Sequence, residues 1–394
     1  MSHAATPIIL TGQDLNLESL AAIARDGRAV AIDHGARARM ARGRAIVERH
    51  LADQRPVYGL TTGLGSRAVE RLPRDALAEF SRLTVRGRSH ALGQPLARES
   101  VRAIMAARLN GLLQGGAGAD PAVADALAAS LNAGLSPVVP SIGSVGAGDL
   151  CLLAHIGLAL IGEGEIEADG AVLPAAQALA RAGLAPLVLG PKDGLAICNA
   201  SAASAGVGAL ALHDAGEIWR LANLAAALSL EGFRGNPGPL DARLAALRPQ
   251  PGQAESAADI RAHLAGGALR EPGAARRLQD PLSLRCVAPV HGALWAALAF
   301  AEPALSAELN GDASNPAVLL DDDEILSTGN FHTPLLTVAF DAVAQACAQV
   351  AQLALARTAK LLVARLSDLP ANLSRPGPAR SGFAPALQPV EALV

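Results

Sequence analysis

Apolar residues along this chain recur at helical rather than alternating spacing, and alanine and leucine fill most of the apolar positions. Near the start, Asn16 stands where an N-cap belongs, and Leu17, Leu20, Ala21 and Ala24 follow at i, i+3, i+4 and i+7 on one helical face. Asp120 followed by Pro121 is a stronger start, a capping carboxylate and then a proline at the first helical position, and predicts a helix running towards Asn132. Three long runs dominate the second half. Ser201–Glu231 contains no proline, Leu335–Leu369 contains neither glycine nor proline, and Ser283–Glu308 reads as helix with bends at Pro289 and Pro303. At 1.5 Å per residue the run from Leu335 would be about 50 Å long, and a helix of that length needs neighbours.

The fold class expected is all-α, an elongated bundle of long helices whose alanine-rich faces allow close approach. No clear domain boundary emerges, so one domain is expected over 1–394, with an N-terminal lobe of about 1–200 and a long-helix core of about 201–394. Glycine- and proline-rich loops at 115–118, 136–148, 235–239 and 266–272 separate the helices.

Composition narrows the partners. Apolar residues make up 51% and charged residues 18%, which supplies a large core and no sign of disorder. The 33 basic and 36 acidic residues nearly cancel, and no run of Lys or Arg offers a phosphate-binding stripe, so nucleic acid is not an expected partner. Apolar stretches such as Leu150–Ile161 are interrupted by His155 and fall short of the roughly 20 residues a bilayer requires, so no membrane partner is expected either. Met1–Pro7 does not have the pattern of a secretory signal. Cys151, Cys198, Cys286 and Cys347 form no C-x-x-C, which argues against a metal site or a redox pair and for a reduced, cytoplasmic protein.

The chemistry-bearing residues lie in a series of short motifs. Tyr58-Gly59-Leu60-Thr61-Thr62-Gly63-Leu64-Gly65 holds the chain's one tyrosine. Taken alone, a tyrosine among glycines is an ordinary half-buried aromatic, and a lone histidine such as His90 is as readily a core residue. The flanking segments change that reading. Arg88-Ser89-His90-Ala91, Leu131-Asn132-Ala133-Gly134, Gly143-Ser144-Val145-Gly146, Lys192-Asp193-Gly194-Leu195-Ala196-Ile197-Cys198-Asn199, Gln279-Asp280-Pro281-Leu282-Ser283-Leu284-Arg285-Cys286 and Gly329-Asn330-Phe331-His332 follow one another in order.

In that order and spacing the chain resembles the aromatic amino acid ammonia-lyases, and Ser89-His90 resembles the histidine-specific branch more than the tyrosine- or phenylalanine-specific ones. The matches cover most of the chain. The resemblance implies a fold of the L-aspartase and fumarase type, a homotetramer, and a small-molecule amino acid as substrate, histidine being converted to urocanate and ammonia. It implies no external cofactor and no metal. The family instead cyclises Ala-Ser-Gly in its own backbone to an electrophilic methylidene-imidazolone. By the same resemblance Tyr58 is the general base, Asn199 orients the ring, Arg285 holds the substrate carboxylate, and His90 and Phe331 contact the substrate. A free phenol, with a pKa of about 10, is ionised to only about one part in a thousand at pH 7, so Tyr58 needs a positive field. Helices expected to start after Asp149 and Asn199, with those residues as N-caps, would supply one.

The pattern breaks at its most informative point. The family reads G-S-V-G-A-S-G-D-L, whereas this chain reads Gly143-Ser144-Val145-Gly146-Ala147-Gly148-Asp149-Leu150. The serine between Ala147 and Gly148 is missing, and Ser144 is no substitute because Val145 follows it. The ring is therefore expected to be absent. Leu282 stands where the family has a second tyrosine, Ala288-Pro289-Val290 lacks the usual glutamine, and the chain stops at Val394 in a region where family members continue. Two readings stay open, an ammonia-lyase and a catalytically degenerate homologue that binds an amino acid or a partner subunit. A fumarase- or aspartase-type lyase is disfavoured because no G-S-S-x-M-P-x-K-x-N signature occurs.

Overall fold

The computed structural model describes residues 6–393, the side chain of Arg270 excepted. The fold is all-α, with short strands confined to loops. Asn16 caps the helix Leu17–Ala24 by accepting from the Ser19 amide, and Asp120 caps Pro121–Asn132 through the Ala122 amide. The short side chains at these positions reach orphan amides that nothing else in the first turn can satisfy. The loop at 136–148 carries two of the short strands, Ser136–Pro137 and Pro140–Ile142.

The three long helices are present with altered ends. One spans Ala202–Phe233. The second splits, because Leu282–Arg285 forms its own turn before Val287–Asn310 begins. Pro289 then falls in the first turn of that helix, where a missing N–H leaves no bond unmade, and only Pro303 is interior. The third run is shorter than its composition suggests. It forms Pro334–Leu361, and a separate turn, Ala364–Ser367, follows. Freedom from glycine and proline permits a helix but does not fix where it ends.

The chain divides into two compact units, the first built from residues up to His213 together with Pro303–Thr337, the second from Asp214–Glu302 and Val338 onward. In the first, Ile46, Val47, Val57, Leu60 and Val318 form one core cluster, which packs beneath the tyrosine loop. In the second, Phe233, Ile260, Leu264 and Val287 are among the buried residues of another. Also buried in the second unit is a polar relay. Asn223 donates to Asp259 through Nδ2 and presents Oδ1 to His291 Nδ1 at 2.7 Å. That orientation makes His291 Nδ1 the donor, and burial lowers its pKa to about 3, with the Arg357 charge adding to the effect.

Among the described residues, two helical segments are long and apolar enough to cross a membrane by length and composition alone. The window in the first, within Asp193–Phe233, is 78% buried inside the protein, as a core helix is, whereas that in Pro334–Leu361 is only 22% buried.

Candidate active site

Tyr58, His90, Ala147, Gly148, Asp149, Asn199 and Phe331 all belong to the first unit, and Arg285 belongs to the second. Within the first unit the structure brings Gly148, Asn199 and Phe331 into direct contact. Gly148 has φ +77°, and a β-carbon built on it would stand 2.6 Å from Asn199 Oδ1 and 3.7 Å from the Phe331 ring. Only glycine fits there, on both conformational and steric grounds.

The loop is tied down as a strand. Ala147 faces His332 across an isolated antiparallel bridge, with Gly148 N donating to Phe331 O at 2.9 Å and Thr333 N donating to Gly146 O at 3.1 Å. Thr333 Oγ1 also donates to Gly146 O, at 3.2 Å. The backbone amide of Gly148 and the carbonyl of Gly146 therefore both point at the same partner segment, as they do in an extended strand. Thr333 follows directly on the Gly329–His332 motif, and that adjacency is the only signal the sequence offers for its role.

Asn199 does not cap a helix start. It closes the short helix Asp193–Cys198, and the next helix begins only at Ala202. Its side chain is oriented by Nδ2 donating to Asn315 O at 2.9 Å, which leaves Oδ1 turned to Gly148. The buried Lys192, at φ +72°, donates to Ala117 O and to Pro316 O, the latter at 3.1 Å, and so fixes the segment on which Asn199 leans. Burial lowers the Lys192 pKa to about 8, with Asp312 opposing the shift. Cys198, next to Asn199, is fully buried, and burial raises its thiol pKa to about 12. That thiol is no nucleophile.

Asp149 also departs from expectation. It immediately precedes the helix Leu150–Leu160 but makes no side-chain cap bond to it. Its carboxylate, only 2% exposed, accepts from Ser204 N at 2.7 Å and Ser204 Oγ at 3.0 Å, and from Ser144 Oγ. It thus caps the neighbouring helix Ala202–Phe233 and pins the loop to it. Ser201, at the same helix start, donates to Glu308, whose pKa is raised first by burial and then by the Asp149 charge. Two carboxylates consequently meet one helix N-terminus, where the dipole favours them. Neither Ser204 nor Glu308 stands in a motif that singles it out.

Tyr58 is half-buried, and its hydroxyl accepts from Gly65 N at 3.1 Å. Its loop abuts the Asn199 helix, since a β-carbon at Gly59 would stand 2.6 Å from Leu195 Cδ2. His90 is exposed. Its neighbour Ala91 lies against the base of the Gly143–Gly148 loop, 3.1 Å from a β-carbon built at Gly143. His155 lies near His90, and its pKa is lowered first by burial and then by the His90 charge. Leu282 is 61% exposed. Among the described residues no group of three or more His, Cys, Asp or Glu is arranged to hold a metal ion.

A family model for aromatic amino acid lyases matches residues 15–394. The histidine ammonia-lyase of Deinococcus radiodurans is 40% identical over 389 residues, covering 98% of this chain and 74% of that protein. That of Anaeromyxobacter dehalogenans is 41% identical over 399 residues, covering 98% and 78%. Among solved structures, the histidine ammonia-lyase of Trypanosoma cruzi superposes with a TM-score of 0.90 at 31% identity, over 98% of this chain and 73% of that one. The ergothioneine-degrading ergothionase of Treponema denticola superposes at 0.92 and 31% identity, over 98% and 78%.

Proposed function

The chain belongs to the aromatic amino acid lyase family of carbon–nitrogen lyases, and from that membership we propose that its substrate is histidine, which this reaction class converts to urocanate and ammonia. His90 carries the choice of substrate. It is exposed, and it is held beside the Gly143 end of the electrophile loop by Ala91. The names of the relatives at about 40% identity agree with that choice. In this reading Tyr58 takes the β-proton, Arg285 binds the carboxylate as a two-pronged ion pair, and Phe331 packs against the substrate.

The family makes its own prosthetic ring rather than using an external cofactor. The residues here do not fit that group, and we propose that it does not form in this chain. No serine stands between Ala147 and Gly148, a side chain at Gly148 would collide with Asn199, and the Gly148 amide is committed to Phe331 O. These observations favour a second reading in which the site binds histidine and turns it over negligibly, because the amine remains a poor leaving group whatever Tyr58 does.

We also propose a cytoplasmic homotetramer. Ile218, Leu221, Leu224 and Leu228 form an exposed apolar stripe at i, i+3, i+6 and i+10 of one helix, and the apolar helix Pro334–Leu361 is mostly uncovered. Exposed apolar faces of that extent mark association surfaces.

Histidine binding, intact mass and urocanate absorbance, measured on the purified full chain, test the substrate, the ring and the turnover together. The expected result is saturable histidine binding, a mass equal to that of the uncyclised sequence, and negligible urocanate. A variant with serine inserted between Ala147 and Gly148 would be two waters lighter than its own sequence if the loop can still cyclise. Binding of phenylalanine but not histidine overturns the substrate assignment. Robust urocanate formation that Tyr58→Phe abolishes overturns the second reading.

A further inference from the structure

Beside the tyrosine loop lies a recess of about 170 Å³ lined by both leucines and arginines. Leu51, Leu72, Pro73 and Leu77 supply its apolar lining, and Arg71, Arg74 and Gln54 supply polar groups. Each arginine commits one nitrogen to the C-terminal end of the helix His34–Ala52. Arg71 Nη1 donates to Gln54 O at 3.0 Å, and Arg74 Nη2 donates to Leu51 O at 3.1 Å and Ala52 O at 2.8 Å. These bonds hold both guanidiniums at the same rim. Among the described residues neither has a carboxylate partner, whereas Arg37, Arg49, Arg82, Arg86 and Arg243 all do. Gln54 itself sits at φ 52°, a conformation a non-glycine residue adopts only when its surroundings hold it.

The recess shares its wall with the Tyr58 loop. Thr61 lines it, and the Thr61 carbonyl accepts from Leu72 N at 2.9 Å. Thr62 pairs with Arg71 in an antiparallel bridge, and Gly63 N donates to Glu70 O at 3.0 Å. Whatever fills the recess therefore braces the segment that carries Tyr58.

We propose that this recess binds a small organic carboxylate with an apolar body, through Arg71 and Arg74, and so sets how firmly the Tyr58 loop is held. The planar guanidinium fork matches a carboxylate in two-pronged fashion, and the leucine and proline wall accounts for the apolar body. A volume below the range of about 300–1,000 Å³ usual for drug-sized ligands limits the ligand to a single small ring or short chain. The binding site does not depend on histidine being the substrate. Only its consequence for Tyr58 rests on that reading.

Benzoate is the probe, titrated calorimetrically into the full chain, with acetate and inorganic phosphate as separate arms. A benzoate site is expected that survives Arg285→Gln and weakens by about tenfold or more in Arg71→Gln/Arg74→Gln, each lost charged hydrogen bond being a large fraction of the binding energy of so small a ligand. Leu72→Glu, which places a like charge in the wall, should weaken it similarly. Acetate, lacking the body, should bind weakly, and phosphate should not compete. Hydrogen exchange of the Val57–Gly63 amides should slow when benzoate binds to the unaltered chain. Benzoate binding unchanged by both sets of substitutions, or abolished by Arg285→Gln alone, overturns the site. Phosphate binding as tightly as benzoate overturns the ligand class. Unchanged exchange in the loop overturns the coupling to Tyr58. If histidine fails to bind while the benzoate site persists, the substrate reading fails and this one stands.

Discussion

Replacing Asp149 by alanine should loosen the start of the helix Ala202–Phe233, not the helix that Asp149 itself precedes. In the native loop the carboxylate accepts from Ser204 N at 2.7 Å and Ser204 Oγ at 3.0 Å, together with Ser144 Oγ. Loss of an N-cap costs about 1 kcal/mol. Losing the charge-assisted hydrogen bonds from the half-buried Ser204 hydroxyl and the exposed Ser144 hydroxyl adds about 1–2 kcal/mol, allowing for exposure and non-additivity. The sum, about 2–3 kcal/mol, corresponds to about a 30- to 150-fold loss of protection wherever the opening is local. Hydrogen exchange resolved to short peptides is the assay, because it reports which helix opens. Protection should fall across residues 202–206 and hold across 152–156, where the Leu153 amide is bonded to the Asp149 backbone carbonyl and not to its side chain. Asp149→Asn keeps an acceptor for the Ser204 amide and should lose about tenfold, since only the ionic component disappears. If Asp149→Ala leaves residues 202–206 unchanged, or if the loss falls on 152–156, the assignment of the carboxylate to the neighbouring helix is wrong.

His291 predicts a pH dependence. Its folded pKa of about 3 lies below the ordinary 6.5, so the unfolded chain takes up a proton that the folded chain does not, and its contribution to stability is present above about pH 6.5 and lost as pH falls, at about 1.4 kcal/mol per unit. Denaturant unfolding of His291→Phe should show a shallower decline between pH 6.5 and pH 5 than the unaltered protein, and parallel curves would refute the linkage. Gly194→Ala should destabilise by several kcal/mol, about 3 or more, because a β-carbon there would stand 2.0 Å from the Ser81 carbonyl oxygen and backbone cannot yield cheaply. A melting temperature within a degree or two of the parent would contradict it. Leu221→Glu with Leu228→Glu, at positions 61% and 65% exposed, should dissociate the proposed tetramer in sedimentation without unfolding the chain, whereas an unchanged sedimentation coefficient would count against an interface on this stripe.

Much of this protein could be read from local patterns because the forces behind them are local. Capping and helical periodicity involve residues a few positions apart, so the starts at Asn16 and Asp120 and the body of Ala202–Phe233 were legible, as was the family, whose motifs are written in order along the chain. Composition was less informative about ends. The run after Pro334 carries no residue that must stop a helix, yet it stops at Leu361, and Val287–Asn310 starts later than its apolar pattern does. The missing serine was a matter of sequence alone.

What the tertiary structure decided is where side chains that sit beside one element do their work on another. Asp149 looks like the cap of the helix that follows it but caps the one that starts 53 residues later, because a buried carboxylate goes to the donors the fold brings to it. Asn199 looks like a helix start, but its amide is turned by Asn315, 116 residues away, so that its oxygen meets Gly148. The strand-like tie between Gly146–Gly148 and Phe331–Thr333 joins segments far apart in the chain, Gly146 and Thr333 being 187 residues apart. Backbone hydrogen-bonding groups carry no residue identity, so a pairing of that kind leaves no mark in the sequence and exists only once the chain has folded.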